Sequence, residues 1–196
     1  MAQRTAKIER HTRETQISLT LELDGRGLYD IETPSGFFDH MLNHLARHGL
    51  FNLTLKAQGD MRVDAHHTVE DVGICLGQAL NQALGDKKGI VRFGWAAVPM
   101  QDSLAQVALD ISGRAGLIYN VDYRADKIGD FDVELLAEFL RSFTNNALLN
   151  LHVNVPYGSN NHHIAEAIFK ALGRALAQAV ALDNRIQDVP STKGVL

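Results

Sequence analysis

The pentad His-His-x-x-Glu stands in this chain twice, as His66-His67-Thr68-Val69-Glu70 and as His162-His163-Ile164-Ala165-Glu166. Other stretches recur around it in the same order. Leu21-Glu22-Leu23-Asp24-Gly25-Arg26 is echoed by Leu109-Asp110-Ile111-Ser112-Gly113-Arg114, and Gly49-Leu50-Phe51-Asn52-Leu53 by Ala147-Leu148-Leu149-Asn150-Leu151. Gly77-Gln78-Ala79-Leu80 and Gly173-Arg174-Ala175-Leu176 follow the two pentads. Matches that keep their order indicate an internal duplication. The fold must therefore be one that a half-length unit can build twice, with repeats of about 1–87 and 88–196 forming a single domain.

Each half shows the same coarse order. Residues 16–23 alternate between apolar and polar, which predicts a strand, and Asp24-Gly25 predicts a hairpin turn after it. Residues 37–45 carry apolar side chains at helical spacing, 50–55 alternate again, and the pentad opens a long helix over 65–84. The second half repeats this over 107–111, 133–146, 148–153 and 161–181. Strands whose sheet is covered on one face by two helices give an α+β class.

The pentads carry the chemistry. Residues four apart share a helix face, whereas neighbours diverge by roughly 100°. His66 and Glu70 can grip one ion while His67 aims elsewhere, and His162, Glu166 and His163 repeat the arrangement. Two such helices face to face would build two centres: His66, Glu70 and His163 on one ion, His162, Glu166 and His67 on the other. Aligning the halves through Gly49 and Ala147 sets His40 opposite Glu138, and these are the next ligand candidates. His44 and His48 continue the face of His40 and are read as lining the pocket. His152 is a spare ligand candidate or a support behind the ligands; His11 carries no role. Imidazole and carboxylate donors without thiolate suit Mn²⁺, Fe²⁺, Co²⁺, Ni²⁺ or Zn²⁺. A structural zinc site would draw on cysteine, and the single Cys75 lies in an apolar run that predicts burial.

The tail Pro190-Ser191-Thr192-Lys193-Gly194 gathers hydroxyls, backbone amides and an ammonium suited to a phosphate, with Arg92, Arg114 and Lys170 as further partners. A net charge of −4 without a Lys/Arg stripe argues against nucleic acid. No run approaches the ~18 apolar residues of a membrane span. The basic start Met1 to Lys7 has no apolar segment behind it, so no signal peptide is expected, and a reducing cytoplasm is. Two other classes fit a duplicated two-metal design: a dinuclear metallohydrolase and a non-catalytic protein whose ions only join subunits.

Four stretches carry a family resemblance: Phe37-Phe38-Asp39-His40-Met41-Leu42, Asp64-Ala65-His66-His67-Thr68-Val69-Glu70-Asp71, Asn161 through Ala171, and Pro190-Ser191-Thr192-Lys193-Gly194-Val195-Leu196. Together they resemble the imidazoleglycerol-phosphate dehydratases of histidine biosynthesis, in their monofunctional form, from about Arg10 to the C-terminus. The resemblance implies halves like ribosomal protein S5 domain 2, two Mn²⁺ per active site, and a homo-oligomer of about 24 subunits with sites between chains. It implies that Glu14, Arg92, Arg114, Lys170, Ser191 and Lys193 touch substrate, with Thr192 beside them in the tail. Some relatives carry His where this chain has Glu138. The implied reaction removes water from imidazoleglycerol phosphate to give imidazole-acetol phosphate. Metals at both ring nitrogens would favour the imidazolate, which expels the neighbouring hydroxyl through a diazafulvene-like intermediate. Glu14, which matches Asp102 in the repeat, is the implied acid/base.

Overall fold

The computed structural model describes residues 4–196. The first half runs β1 (Thr5–His11), β2 (Thr15–Glu22), β3 (Tyr29–Glu32), α1 (Gly36–Gly49), β4 (Asn52–Gly59) and α2 (His66–Leu84). The second runs β5 (Phe93–Met100), β6 (Ser103–Asp110), β7 (Gly116–Asn120), β8 (Lys127–Ile128), β9 (Phe131–Asp132), α3 (Glu134–Ala147), β10 (Asn150–Tyr157) and α4 (Asn161–Val180). One sheet has the order β1-β2-β4-β3 and the other β5-β6-β10-β7, so equivalent strands take equivalent places. The β8–β9 hairpin is an addition to the second half.

Alternation builds the sheets. β2 turns Ile17, Leu19 and Leu21 inward, and β4 turns Leu53, Leu55 and Ala57 the same way. Ala105, Val107 and Leu109 of β6 and Leu151 and Val153 of β10 do so in the second sheet. Helix α2 covers β1 and β2, and α4 covers β5 and β6. The two helix layers then meet, α1 on α4 and α2 on α3, giving four layers around one continuous apolar core. Phe139 sits where they join, against Phe38, Phe143 and Phe169. Among the described residues, no helix is long and apolar enough to cross a membrane.

The Asp24-Gly25 turn is not the hairpin that its sequence predicts. The hairpin partner of β2 is β1, and the chain after Gly25 enters β3, which runs parallel to β4. A parallel pair needs a crossover, and α1 supplies it. Gly25 serves close approach instead: a Cβ there would lie 2.4 Å from the Asn52 backbone nitrogen. The Asn52 side-chain oxygen accepts from the amides of Arg26 and Leu28 and so pins the turn to the start of β4.

Two further glycines set the helix crossings. A Cβ on Gly173 would sit 2.6 Å from the carbonyl oxygen of Leu45, and one on Gly77 would sit 2.5 Å from that of Phe143. Their absence lets α4 lie on α1, and α2 on α3, backbone against backbone. That proximity brings the first histidines of the site together.

Candidate active site

Helix α1 presents His40, His44 and His48 on one face, and α4 presents His162, Glu166, Lys170 and Arg174 on the face opposed to it. Among the described residues, His40, His162 and Glu166 form one group whose ligand atoms all lie within 4.8 Å of one another. Glu166 Oε2 is 3.8 Å from His40 Nε2 and 3.4 Å from His162 Nε2. Its other oxygen lies 3.2 Å from His44 Nε2 and 2.5 Å from Lys170 Nζ. His44 Nε2 is also 3.2 Å from His40 Nε2.

Electrostatics follow this packing. Burial opposes ionisation of Glu166, but the hydrogen bond from Lys170, with His44 and His40 close by, outweighs it and holds the carboxyl below its ordinary range. Burial, aided by His40, Lys170 and His48 and opposed by Glu166, takes His44 down to about 4. At neutral pH an ionised Glu166 therefore sits beside a neutral His44, and with His40 and His162 it makes a carboxylate and imidazole donor set suited to a divalent cation.

The second histidine of each pentad points elsewhere. His163 Nδ1 lies 2.5 Å from Asp102 Oδ1, and His67 Nδ1 lies 3.1 Å from both oxygens of Asp60. The Asp60 hydrogen bond raises the pKa of His67. Glu14 Oε1, exposed at the β1–β2 turn, lies 3.9 Å from the opposite ring nitrogen of His67. Asp60 and Asp102 carried no role in the sequence; the one available signal was that Asp102 occupies the position equivalent to Glu14.

The remaining ligand candidates stand apart in one chain. Helices α2 and α4 do not face each other; each packs on a helix of the opposite half. His66 and Glu70, in the first turns of α2, are not part of the His40 group, and Glu138 Oε2 accepts from Arg141 Nη1 at 2.6 Å. His152 faces outward from β10, beside Arg114 and Asn150 in a surface depression far from the cluster.

The anion-binding candidates divide into two groups. Lys170 belongs to the His40 cluster. Arg92, Arg114 and the tail gather at the far end of the second sheet. Arg92 has a left-handed backbone (φ 76) and donates to both oxygens of Asp110 and to the Pro190 carbonyl. A Cβ on Gly113 would lie 2.4 Å from the carbonyl carbon of Leu196, so the tail closes over the turn that carries Arg114. The Ser191 hydroxyl accepts from the Lys193 amide, forming a tight turn with Thr192 at its tip. Asp102 and Arg92 flank opposite ends of the β5–β6 pair. Eight residues of strand separate them, roughly 25 Å at the usual rise.

Comparison with known proteins agrees with this architecture. The family model described as imidazoleglycerol-phosphate dehydratase matches residues 33–176. The imidazoleglycerol-phosphate dehydratase of Geobacter sulfurreducens is 60% identical over 193 residues, covering 98% of this chain and 99% of its own length. That of Clostridium botulinum strain Langeland is 55% identical over 196 residues, with both chains fully covered. The crystal structure of the Staphylococcus aureus enzyme superposes with a TM-score of 0.83 at 39% identity, over 91% of this chain and 99% of that one. The enzyme from Pyrococcus furiosus, solved in complex with (S)-C348, gives 0.83 at 36% identity, over 96% and 100%. By its sequence, its duplicated halves and its likeness to these solved structures, the chain belongs to the imidazoleglycerol-phosphate dehydratase family.

Proposed function

We propose that this chain catalyses the metal-dependent dehydration of imidazoleglycerol phosphate to imidazole-acetol phosphate in the cytoplasmic biosynthesis of histidine. The observation that carries the reading is the cluster of His40, His162 and Glu166, with converging donors, in a member of this family. Its two imidazoles and one carboxylate, without thiolate, fit Mn²⁺. His40, His162, Glu166 and His67 would hold one ion, and His66, Glu70, His163 and Glu138 the other. When bound, the two ions supply the positive charge that favours the deprotonated form of the substrate's imidazole ring.

The chain's own groups do the rest. Glu14 stands beside the outer nitrogen of His67, so its carboxylate reaches whatever occupies that position, and it moves the proton during loss of water. Arg92, Arg114, Ser191, Thr192 and Lys193 bind the phosphate, while Lys170, His44 and His48 line the ring end of the pocket. Fixing both ends of the substrate orients the carbon chain between them.

One chain does not assemble this site. The tail end and the cluster end are about a strand length apart, and the two pentad helices pack on different partners, α2 on α3 and α4 on α1. The repeats of about 1–87 and 88–196 thus form one dehydratase domain, and sites close between chains in a homo-oligomer of about 24 subunits. Size measurement with and without chelator, combined with elemental analysis, tests metal and assembly together. Incubation with Mn²⁺ and substrate should yield the ketone without free phosphate; phosphate release would favour a hydrolase instead. Glu70→Gln and Glu166→Gln should lower metal content and turnover together, whereas Glu14→Gln should keep the metal and lose turnover.

A further inference from the structure

We propose that Asp102 is a positioning residue. It fixes the His163 ring with Nδ1–H inward, so that the lone pair of Nε2 is the atom offered to a metal ion. Asp60 does the same for His67 with a weaker hold. This rests on the metal reading above and adds what decides which ring nitrogen can ligate.

A neutral imidazole carries one N–H and one lone pair, and the partner of one nitrogen sets the state of the other. Asp102 Oδ1 is 2.5 Å from His163 Nδ1, and an ionised carboxylate can only accept. Nδ1 therefore bears the proton and Nε2 is the ligand atom. The carboxylate is itself immobilised. Asp102 Oδ2 accepts from the Ser159 amide at 2.7 Å, the Ser159 hydroxyl at 2.6 Å and the Asn160 amide at 2.9 Å. Asn160 in turn caps α4, its side-chain oxygen accepting from the amides of His162 and His163. One turn, residues 158–161, thus sets the start of the helix, the carboxylate and the ring together.

The two clamps are unequal, and that makes the inference testable. In Asp102→Asn the side-chain NH₂ cannot replace Oδ2, because that position faces two backbone N–H donors. The amide oxygen must stay there, and the NH₂ is forced toward His163. The ring must then accept at Nδ1 and carry its proton on Nε2, where no lone pair remains. Asp60 has no competing donors among the described residues, and both its oxygens face His67 Nδ1 equally. In Asp60→Asn the amide can turn its oxygen to the ring and preserve the tautomer.

Two readouts separate these outcomes. Nitrogen-15 solid-state NMR of metal-free, histidine-labelled protein at pH 8 reports the tautomer, with the His163 signal identified by its loss in His163→Gln. Titration of free Mn²⁺ followed by electron paramagnetic resonance reports affinity. Asp102→Asn should move His163 to Nε2–H and weaken one of the two classes of bound ion 10- to 100-fold. Asp60→Asn should change affinity less than about threefold. A His163 that keeps Nδ1–H in Asp102→Asn overturns the proposal, as does a changed tautomer with both ions held as in wild type. Should Asp102→Asn fail to fold, the unmodified protein decides alone, since an Nε2–H tautomer at His163 refutes the clamp. If wild type binds no Mn²⁺, the metal reading fails and the positioning role falls with it; loss of the positioning role alone leaves two ions bound in every protein.

Discussion

Replacement of Gly173 by Ala tests whether the α1–α4 crossing creates the site. The added Cβ would lie 2.6 Å from the Leu45 carbonyl oxygen and 2.9 Å from the Gly49 nitrogen, about 0.8 Å short of ordinary contact. Both obstacles are helical backbone, so no side chain can rotate away and the helices must separate. A gap of that size forfeits a quarter to a half of the dispersion attraction along the seam, and overpacking against backbone costs about 3 kcal/mol. Alanine returns about 1 kcal/mol of helix propensity relative to glycine. The net expectation is a loss of about 2 kcal/mol, or roughly 4–8 °C in the melting temperature of metal-free protein at fixed concentration. The separation also carries His40 away from Glu166, which are 3.8 Å apart now, so Mn²⁺ affinity should fall at least tenfold. Gly36→Ala is the control, since a Cβ there meets nothing within 4 Å, and its stability should stay within about 0.5 kcal/mol of wild type. A Gly173→Ala protein as stable as wild type, with Mn²⁺ affinity unchanged, would refute the claim that backbone proximity at this crossing builds the cluster.

Cys75 is fully buried, and burial pushes its thiol up to about 11, so an aromatic disulfide reagent at pH 8 should leave it intact until urea unfolds the chain. Labelling of folded protein at the rate of a free thiol would contradict that environment. In metal-free protein the depressed pKa of His44 makes the unfolded state bind more protons between about 4 and 6.5, so stability should fall as pH falls through that window. The upper bound is about 3 kcal/mol, and His44→Gln should flatten the dependence measured by urea titration. Arg92→Ala removes the donors to Asp110 and to the Pro190 carbonyl, a loss of about 2 kcal/mol of local stability. Hydrogen exchange in residues 187–196 should accelerate, and KM for the phosphorylated substrate should rise while Mn²⁺ content holds.

Elements with a strong period were legible in the sequence. The helices at 36–49 and 66–84 and the inward sets of β2 and β4 lie where spacing predicts them. Strand β3 was not legible, because its four residues are almost all exposed and show no alternation; it exists through parallel pairing with β4. The Asp24-Gly25 turn was misread for the same reason, since hairpin chemistry reports a local bend and not which strand comes next. Periodicity also shows that a helix has an apolar face but not which helix will meet it. The sequence thus supplied His162 and Glu166 as a pair with His40 as a further ligand candidate, and the packing of α4 on α1 is what brings His40 and His44 against that pair. Asp60 was invisible as a single loop carboxylate, a residue type that is solvated far more often than it is structural, and only its place opposite Glu14 in the repeat marked Asp102.

The duplication also shows how one crossing was put to two uses. At equivalent positions, α1 carries His40, His44 and His48 where α3 carries Glu138, Ser142 and Asn146. Opposite them, α4 carries Glu166, Lys170 and Arg174 where α2 carries Glu70, Ile74 and Gln78. The glutamate of the pentad stays in both, and its surroundings differ. On the α1–α4 side, imidazoles and an ammonium surround a buried carboxylate, and burial keeps His44 neutral there. On the α2–α3 side, Gln78 donates to Asn146 at 3.3 Å and Glu138 turns to Arg141, so the seam is closed by neutral contacts and a local ion pair. A cationic lining favours an anionic group beside the cluster, and the neutral Gln78–Asn146 pair supplies no such attraction. Divergence after duplication therefore kept the Glu at one place in each crossing and gave the neighbouring positive charge to only one of them.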